Sequence, residues 1–199
     1  GISLNPILNA FQLVVHEYQI EHELIEAFLK SMEMDLEKQQ FNKYLYDRYI
    51  FGSAEVVGLM CLQVFCNGDM DQYRDLRNSA MKLGSAFQKV NFLRDIRADA
   101  EELGRMYFPE VNFNHFTEFD KENIEAEIES EFDQALEGIQ RLPLNSRKGV
   151  YLAYIYYRVL FNKIRRTPAQ HIKTARIRVP DHRKVSLMVQ CLIMPRYNG

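Results

Sequence analysis

Apolar residues recur at steps of three and four along almost the whole chain, which is the spacing of an amphipathic α-helix. In the first such segment Ile20, Leu24, Ala27 and Phe28 follow this spacing, with Glu and Lys between them. The pattern predicts four further helices, at residues 45–66, 72–103, 121–140 and 146–164. No alternation of apolar and polar residues is sustained, so strands are not expected. The sequence therefore predicts an all-α protein, a single-domain helical bundle over residues 1–199.

Turn-forming residues separate these segments. Residues 67–69, with the sequence Asn-Gly-Asp, interrupt the chain between two predicted helices, and residues 109–114 contain Pro and Asn residues that predict a loop. Pro143 marks the break between the last two long helices. Asn145 or Ser146 is expected to be the N-cap of the helix that follows.

The composition is that of an ordinary soluble globular protein, since 47% of the residues are hydrophobic and 26% are charged. A net charge of −2 gives no reason to expect nucleic acid as a partner. The longest apolar run, residues 56–65, is too short to cross a bilayer, and the first residues lack a signal-peptide pattern. Cys61, Cys66 and Cys191 fit no metal-binding spacing, and Cys61 and Cys66 are expected to be buried and reduced. We therefore expect a cytoplasmic protein.

One stretch of the predicted helix 72–103 departs from an ordinary amphipathic pattern. Gln88, Asn91, Asp95 and Asp99 fall at i, i+3, i+7 and i+11, so they line one stripe of the helix. Two aspartates four residues apart repel each other, and aspartate is a poor residue for a helix interior. An Mg²⁺ ion reverses that repulsion, because it binds well through one or two carboxylates together with substrate phosphates.

The neighbours of these aspartates suit the same chemistry. Gln88 and Asn91 can hydrogen-bond a phosphate or an ion-bound water, and Arg94 and Arg97 can pair with phosphate oxygens. The alternative is a pair of solvated surface carboxylates whose repulsion Arg94 and Arg97 relieve. The spacing alone leaves both interpretations open.

Residues 49–58, with the sequence Tyr-Ile-Phe-Gly-Ser-Ala-Glu-Val-Val-Gly, are unusually rich in small side chains. Each glycine inside a helix costs about 1 kcal/mol relative to alanine. Such a cost is usually offset by a close approach, either of a neighbouring helix or of a ligand lying along the backbone. The sequence favours neither explanation decisively.

Together these segments resemble the squalene/phytoene synthase family. Its members carry the pattern Q-x-x-N-x-x-R-D-x-x-x-D, which residues 88–99 match, and then R-x-Y-[FL]-P, which residues 105–109 match. Residues 49–58 are similar to the family's Y-C-Y-x-V-A-G-T-V-G. Further similar segments are residues 32–36, which match M-x-x-D-L, and residues 154–157 and 176–179, which look like the family's final helices.

This sequence also departs from the family. Ile50 replaces the usual Cys, and Glu55 takes the place of a small residue, which adds a carboxylate or alters packing. The family has a first D-x-x-x-D motif on an earlier helix, facing the second across the cavity. The candidates here, residues 17–21 and 33–35, lie where the family has later elements. We therefore expect an N-terminal part carrying that motif to be missing from this sequence, and the chain by itself to be inactive.

The resemblance implies an isoprenoid synthase fold, in which two prenyl diphosphates are joined head-to-head in the central cavity of a helical bundle. It implies Mg²⁺, or Mn²⁺ in its place, bound by both aspartate motifs. The residues implied by motif position are Asp95 and Asp99 for metal, Gln88, Asn91, Arg94 and Arg105 for substrate, and Tyr49 and Tyr107 as catalytic residues at the reacting centre. Arg176 is a further candidate for substrate binding, and the alternative for it is a surface ion pair.

Within this family, phytoene formation from two geranylgeranyl diphosphates is favoured, because residues 85–88 and 104–109 are most similar to bacterial phytoene synthases. The alternatives are squalene or dehydrosqualene synthesis from farnesyl diphosphate, or a non-catalytic relative that acts as an assembly partner. NADPH is not expected. Peripheral contact with the inner face of the membrane is compatible with the low solubility of such a product, and the sequence leaves the oligomeric state open.

Overall fold

A computed structural model describes residues 3–36, 41–109 and 111–193, and within these ranges the chain forms helices and loops but no strand. The elements in chain order are α1 (Pro6–Glu17), α2 (His22–Met34), α3 (Lys43–Ile50), a π-helical turn (Phe51–Glu55), α4 (Val56–Cys66), α5 (Met70–Glu101), a 3₁₀ turn (Phe113–His115), α6 (Glu118–Arg141), α7 (Leu144–Arg165), α8 (Ala169–Ile172) and α9 (Asp181–Ile193). The all-α prediction is confirmed. The four long predicted helices each begin and end within three residues of their predicted bounds.

Polar side chains set the beginning of several helices. Asn5, Asn42 and Asp69 each accept a hydrogen bond from a backbone N–H in the first turn of α1, α3 and α5. At α6, Thr117 and Asp120 form a reciprocal capping box. Residues next to each helix in the sequence therefore stabilise these helix starts.

Two predictions about the C-terminal helices are wrong. α7 begins at Leu144, and its N-cap is Pro143, whose carbonyl accepts the Arg147 N–H at 2.9 Å; neither Asn145 nor Ser146 is the cap. Residues 176–179 lie in the loop between α8 and α9 and are not helical. Pro180 accounts for the end of that loop, because proline disfavours the helical conformation in the residue before it, Val179.

The chain from α3 through the π turn to α4 is one helical run, and its glycines allow other helices to approach it closely. A Cβ on Gly52 would lie 2.5 Å from the carbonyl oxygen of Ala27 on α2. A Cβ on Gly58 would lie 2.6 Å from the carbonyl oxygen of Ala80 on α5. Both distances are too short for real side-chain contacts. Helix packing therefore accounts for these two glycines.

By length and composition this run, Lys43–Cys66, is long and apolar enough to cross a membrane. That finding corrects the conclusion drawn from residues 56–65 alone. Half of its most apolar window is buried inside the protein, where Val56 and Leu59 pack against Leu24. Core helices of soluble proteins have the same character, so the run is weak evidence for a membrane span.

The 32-residue α5 is the central helix. It packs against α4 and α6, and it also contacts α7 and α8. Its residues Ala86, Val90 and Leu93 are fully buried, in a core shared with Ile128 of α6 and Phe161 of α7. The stripe that begins at Gln88 runs along this same helix, so the bundle fixes its position from several sides.

A buried ion network connects α5 to α6. The Nζ atom of Lys89 lies 2.6 Å from Oε1 of Glu127 and 2.8 Å from Oε1 of Glu131, and both Lys89 and Glu131 are buried. Glu55 on the π turn interacts electrostatically with Lys89, and burial raises the pKa of the Glu55 carboxyl. The carboxylate that departs from the family pattern therefore faces this network.

All three cysteines are free thiols. Cys66 is buried, as predicted, and so is Cys191. Cys61 is exposed, contrary to the prediction, because it faces an open cavity beside α4. The surrounding apolar wall still raises the pKa of the Cys61 thiol by desolvation.

Candidate active site

A cavity of about 650 Å³ opens between the π turn and α4, α5, α6 and α7. Its wall consists mainly of apolar and small side chains. Representative residues are Val57, Leu83, Phe87, Ile139 and Ala153. Of the predicted site residues, Gln88 alone lies in this wall. The cavity thus offers an apolar surface that ends near the polar stripe of α5.

Asp95 lies between two guanidinium groups. Nη2 of Arg94 is 2.6 Å from Oδ2 of Asp95, and Nε of Arg176 is 2.6 Å from Oδ1. Arg94 is the neighbour of Asp95 on α5, whereas Arg176 comes from the loop before α9. The structure therefore brings Arg176, from a distant part of the chain, to two neighbouring residues of the α5 motif.

Asp99, one turn after Asp95, has no hydrogen bond or ion pair to its carboxylate within the part of the chain that the structure describes. Burial raises the pKa of Asp99 to about 6, and the negative charges of Asp95 and Asp35 act in the same direction. Arg105 opposes them. Asp99 is thus a half-buried carboxylate with other carboxylates nearby, and a bound cation would stabilise its ionised form.

The side chains at this site suit a metal ion bound jointly by protein and substrate, and not one bound by protein ligands alone. Among the described residues there is no group of three or more His, Cys, Asp or Glu side chains that could hold a metal ion by itself. Asp95 and Asp99 supply two carboxylates on one face of α5. Mg²⁺ commonly binds through one or two carboxylates plus substrate phosphates, so this pair fits that mode.

Asp35, which follows α2, is a candidate site residue to which the sequence analysis gave no role. It accepts a hydrogen bond from the Tyr49 hydroxyl at 2.9 Å and one from the Tyr107 hydroxyl at 3.3 Å. Nη1 of Arg105 lies 3.2 Å from Oδ1 of Asp35, and Arg105 also donates to the Asp35 main-chain carbonyl. In the sequence, the match of residues 32–36 to M-x-x-D-L was the feature that could have pointed to Asp35. That match could not reveal the role of Asp35, because its partners lie far away in the chain.

Aromatic rings enclose the two predicted tyrosines. Phe92 stacks on Tyr107 with ring centroids 4.1 Å apart, and the Tyr49 and Tyr107 rings are 5.0 Å apart. Phe41 packs edge-on against Tyr49 at 5.4 Å. Burial raises the pKa of both phenols above the ordinary value, so both remain protonated at neutral pH. As protonated phenols they can offer π faces and O–H donors.

Asn91 has a partner on α7. The hydroxyl of Tyr157 donates to Oδ1 of Asn91 at 3.3 Å, and the Tyr157 ring stacks on Phe87 at 3.9 Å. Phe87 in turn lines the cavity. Tyr157 therefore holds the Asn91 side chain in place beside the cavity wall. Residues 154–157 are similar in sequence to one of the family's final helices, but that similarity predicted no role for Tyr157.

The predicted residues thus form two groups. One is Asp95 with Arg94 and Arg176, and the other is Tyr49, Tyr107 and Arg105 around Asp35. Asp99 lies within electrostatic range of both groups, since its pKa responds to Asp95, Arg105 and Asp35. Gln88 and Asn91 extend the first group along α5 towards the cavity.

A comparison with known families identifies the chain as a whole. Residues 2–183 match the description squalene/phytoene synthase. The chain belongs to the squalene/phytoene synthase family. Enzymes of this family are transferases that join prenyl groups head-to-head, and they use a divalent metal. The predicted resemblance is therefore confirmed.

Curated relatives of this family member include phytoene synthases. The 15-cis-phytoene synthase of Pantoea ananas is 31% identical over 186 residues, which cover 83% of this chain and 57% of the relative. Phytoene synthase 1 of Arabidopsis thaliana, a chloroplastic protein, is 26% identical over 171 residues, which cover 75% of this chain and 40% of the relative. The chain thus spans about half the length of the curated relatives it matches.

Two solved structures share the fold of this family member. A dehydrosqualene synthase in complex with a ligand superposes with a TM-score of 0.79 and 22% identity, covering 96% of this chain and 71% of that one. The squalene synthase HpnC of Alicyclobacillus acidocaldarius gives a TM-score of 0.67 and 19% identity, covering 79% of this chain and 64% of that one. The isoprenoid synthase fold predicted from the resemblance is confirmed.

Proposed function

We propose that the protein joins two prenyl diphosphates head-to-head, and that two geranylgeranyl diphosphates giving phytoene is the favoured reaction. The observation that carries this proposal is the position of Gln88, which lies in the wall of the apolar cavity on the same stripe of α5 as Asp95 and Asp99. A prenyl diphosphate has the same two parts, a long hydrocarbon tail and a highly charged head. The phytoene synthases among the relatives favour the C20 substrate.

The arginines are suited to hold the diphosphate head. Arg94 and Arg176 neutralise Asp95, and Arg105 neutralises Asp35, in the arrangement described above. A guanidinium presents a planar set of donors that matches two phosphate oxygens at once. Mg²⁺ held by Asp95 and Asp99 would supply further charge neutralisation for the departing pyrophosphate. Gln88 and Asn91 contribute neutral donors beside it.

The chemistry then requires carbocations and the loss of protons. The C–O bond of one substrate breaks, and the double bond of the second substrate attacks the resulting allylic cation. Loss of a proton closes a cyclopropylcarbinyl diphosphate. A second loss of pyrophosphate, a rearrangement and a second proton loss give the coupled polyene. Two substrates therefore yield one hydrocarbon, two pyrophosphates and two protons, without a reductant such as NADPH.

The aromatic cluster suits the cationic stages. The rings of Tyr49, Tyr107 and Phe92 offer π faces that attract a cation, and Asp35 fixes the two phenols through hydrogen bonds. We assign the role of proton acceptor to the departing pyrophosphate, and that of hydrogen-bond donor to the two phenols, whose pKa values burial raises. The tyrosines act as ring faces and hydrogen-bond donors.

The test is incubation of the full-length gene product with geranylgeranyl diphosphate and Mg²⁺, without NADPH. A C40 polyene is expected, and an Asp95→Asn variant should form at least a hundredfold less, since the metal ion that Asp95 would help to hold would stabilise the charge of the leaving group. A C30 polyene from farnesyl diphosphate with no C40 product would assign the squalene-type alternative. No product, together with no Mg²⁺-dependent thermal stabilisation by a diphosphate analogue, would favour the non-catalytic assembly partner.

A further inference from the structure

The two carboxylates of the α5 stripe differ in what surrounds them. Asp99 forms no hydrogen bond or ion pair with any residue that the structure describes. Asp95 is paired on both of its oxygens. Arg94 donates to Oδ1 at 3.2 Å and to Oδ2 at 2.6 Å, and Arg176 lies 2.6 Å from Oδ1 through Nε and 3.2 Å from Oδ2 through Nη2. The proposed metal site therefore combines one unpaired carboxylate with one doubly paired carboxylate.

The two guanidinium groups occupy the positions on Asp95 that a metal ion would need. A carboxylate has about four lone-pair sites, and each oxygen of Asp95 accepts hydrogen bonds from both Arg94 and Arg176. Mg²⁺ bound by a carboxylate lies about 2.1 Å from its oxygen, so at least one guanidinium must leave before Asp95 can bind the ion. Two positive charges beside the carboxylate also repel a divalent cation. In this arrangement Asp95 is a poor ligand for Mg²⁺ alone.

The loop that carries Arg176 is fixed on both sides of that residue. Nη1 of Arg97 donates to the Thr174 carbonyl at 2.7 Å, and Nζ of Lys163 donates to the Arg178 carbonyl at 2.7 Å. The loop backbone is thus attached to α5 and to α7 independently of the ion pair, whereas half of the Arg176 side chain is exposed. The guanidinium can therefore turn from its carboxylate partner to another anion without movement of the loop.

We propose that Arg94 and Arg176 form a clamp that keeps Asp95 from binding Mg²⁺ until a diphosphate is present. A diphosphate offers both guanidinium groups a partner with more negative charge and with oxygens that suit their planar donors. Transfer of the arginines to the diphosphate frees Asp95 to join Asp99 as a metal ligand. Metal and diphosphate then bind together, each raising the affinity of the other by the same factor. The proposal rests on the proposed function, since it concerns how the same site takes up its two ligands.

The test is isothermal titration calorimetry of the full-length gene product with Mg²⁺ alone and with Mg²⁺ plus pyrophosphate, which needs no catalytic activity. Arg176→Gln should bind Mg²⁺ alone about fivefold more tightly than the wild type, because the clamp is weakened. The same variant should bind Mg²⁺-pyrophosphate about tenfold more weakly, because the diphosphate loses a donor. Pairing of Mg²⁺ with pyrophosphate in solution is the same for every variant, so it cancels when variants are compared. These opposite signs are what a clamp requires.

Three further variants separate the clamp from a general effect of charge. Arg178→Gln removes an exposed charge two residues away in the same loop and should change both affinities less than about twofold. Arg176→Lys keeps the charge but lacks the planar pair of donors, so it should still bind Mg²⁺ alone about threefold more tightly than the wild type. In an Asp95→Asn background, Arg176→Gln should no longer tighten the binding of Mg²⁺ alone, since the carboxylate that the clamp covers is gone. Equal melting temperatures would show that all variants are folded.

The outcomes distinguish the clamp from the proposed function. Equal affinities of the wild type and Arg176→Gln for Mg²⁺ alone, or an equal gain in Arg178→Gln, would overturn the clamp and leave the proposed function intact. A gain that persists in the Asp95→Asn background would also overturn it, because another site would then be responsible. Failure of the wild type to bind Mg²⁺-pyrophosphate at all would overturn the clamp and the proposed function together.

Discussion

Nε of Arg176 lies 2.6 Å from Oδ1 of Asp95, although the two residues are 81 positions apart in the chain. This contact connects the loop before α9 to the central helix α5. Together with Arg94 it surrounds one carboxylate with two guanidinium groups. The same arginines are the donors that an incoming diphosphate needs, so the internal ion pair places positive charge at the proposed site before any ligand binds.

Substitution of Arg176 should therefore affect anion binding more than stability. In Arg176→Gln we expect Mg²⁺-pyrophosphate to bind about tenfold more weakly, because one charge-assisted hydrogen bond is lost. The free energy of unfolding should change by no more than about 0.5 kcal/mol, since half of the Arg176 side chain is exposed. Isothermal titration calorimetry measures the affinity. Arg178→Gln, two residues away, is the control, and an equal loss in that variant would contradict a specific role for Arg176.

The raised pKa of Asp99, about 6, makes stability depend on pH. The folded-state value lies above the unfolded one of about 3.9, so the contribution of Asp99 is fully present below pH 4 and is lost as the pH rises through 6. Asp99→Asn removes that dependence. We expect the variant to match the wild type at pH 4 and to exceed it by about 1 kcal/mol at pH 8, a figure reduced for partial solvent exposure.

Denaturant unfolding of both proteins at pH values from 4 to 8 measures this difference. Asp133→Asn, at an exposed position on α6, is the control for the removal of one negative charge. If the free energy of unfolding of Asp99→Asn did not exceed that of the wild type at pH 8, burial and the acidic neighbours would not disfavour the ionised form of Asp99.

The hydrogen bond from Tyr49 to Asp35 should stabilise the fold measurably. Tyr49→Phe removes a buried donor and leaves one oxygen of a carboxylate less well satisfied, so we expect a loss of about 1–2 kcal/mol in the free energy of unfolding. Tyr44→Phe, at an exposed position one turn earlier on α3, should change it by less than about 0.5 kcal/mol. Equal effects of the two substitutions would show that the Asp35 contact contributes nothing.

Replacement of Gly58 should lower the stability of the fold, for a packing reason. In Gly58→Ala the new Cβ would meet the Ala80 carbonyl oxygen at 2.6 Å, so α4 and α5 must separate, at a cost of about 1–3 kcal/mol. Gly149 lies inside α7, and a Cβ added there would meet nothing within 4 Å, so Gly149→Ala should instead gain about 0.5–1 kcal/mol. Thermal unfolding of both variants reports the two opposite signs. Destabilisation by both substitutions would refute the packing argument.

Cys61 should be the thiol that reacts first with a maleimide. It is exposed to the cavity, whereas Cys66 and Cys191 are buried. Its raised pKa makes the reaction slow at pH 7 and faster as the pH rises, because the thiolate is the nucleophile. Geranylgeranyl diphosphate with Mg²⁺ should slow labelling if its tail occupies the cavity. Mass spectrometry of the modified peptide identifies the residue, and protection by pyrophosphate alone would argue against occupation by the tail.

The long helices could be predicted because their signals are local. Apolar spacing fixed the extent of α5 and α6, and the side chains of Asp69 and Thr117 fixed where those helices begin. The proposal that Asp95 and Asp99 bind a metal ion also rests on a local pattern, a spacing of four residues in one helix, but that spacing was informative only together with the family resemblance. The wrong N-cap prediction at α7 has a local cause too. The helix is capped by Pro143, whereas Asn145 and Ser146, just after it, are residue types that usually cap helices.

The sequence by itself determined that the chain is helical, where its long helices run, and that its central helix carries a charged stripe in the context of a known family. Only the tertiary structure decided which residues complete that stripe. Tyr49, Arg105 and Tyr107 meet at Asp35 across separations of 14, 70 and 72 residues, and Tyr157 reaches Asn91 across 66. The reason is physical: helical periodicity is a property of neighbouring residues, whereas these hydrogen bonds exist only after separate helices have packed.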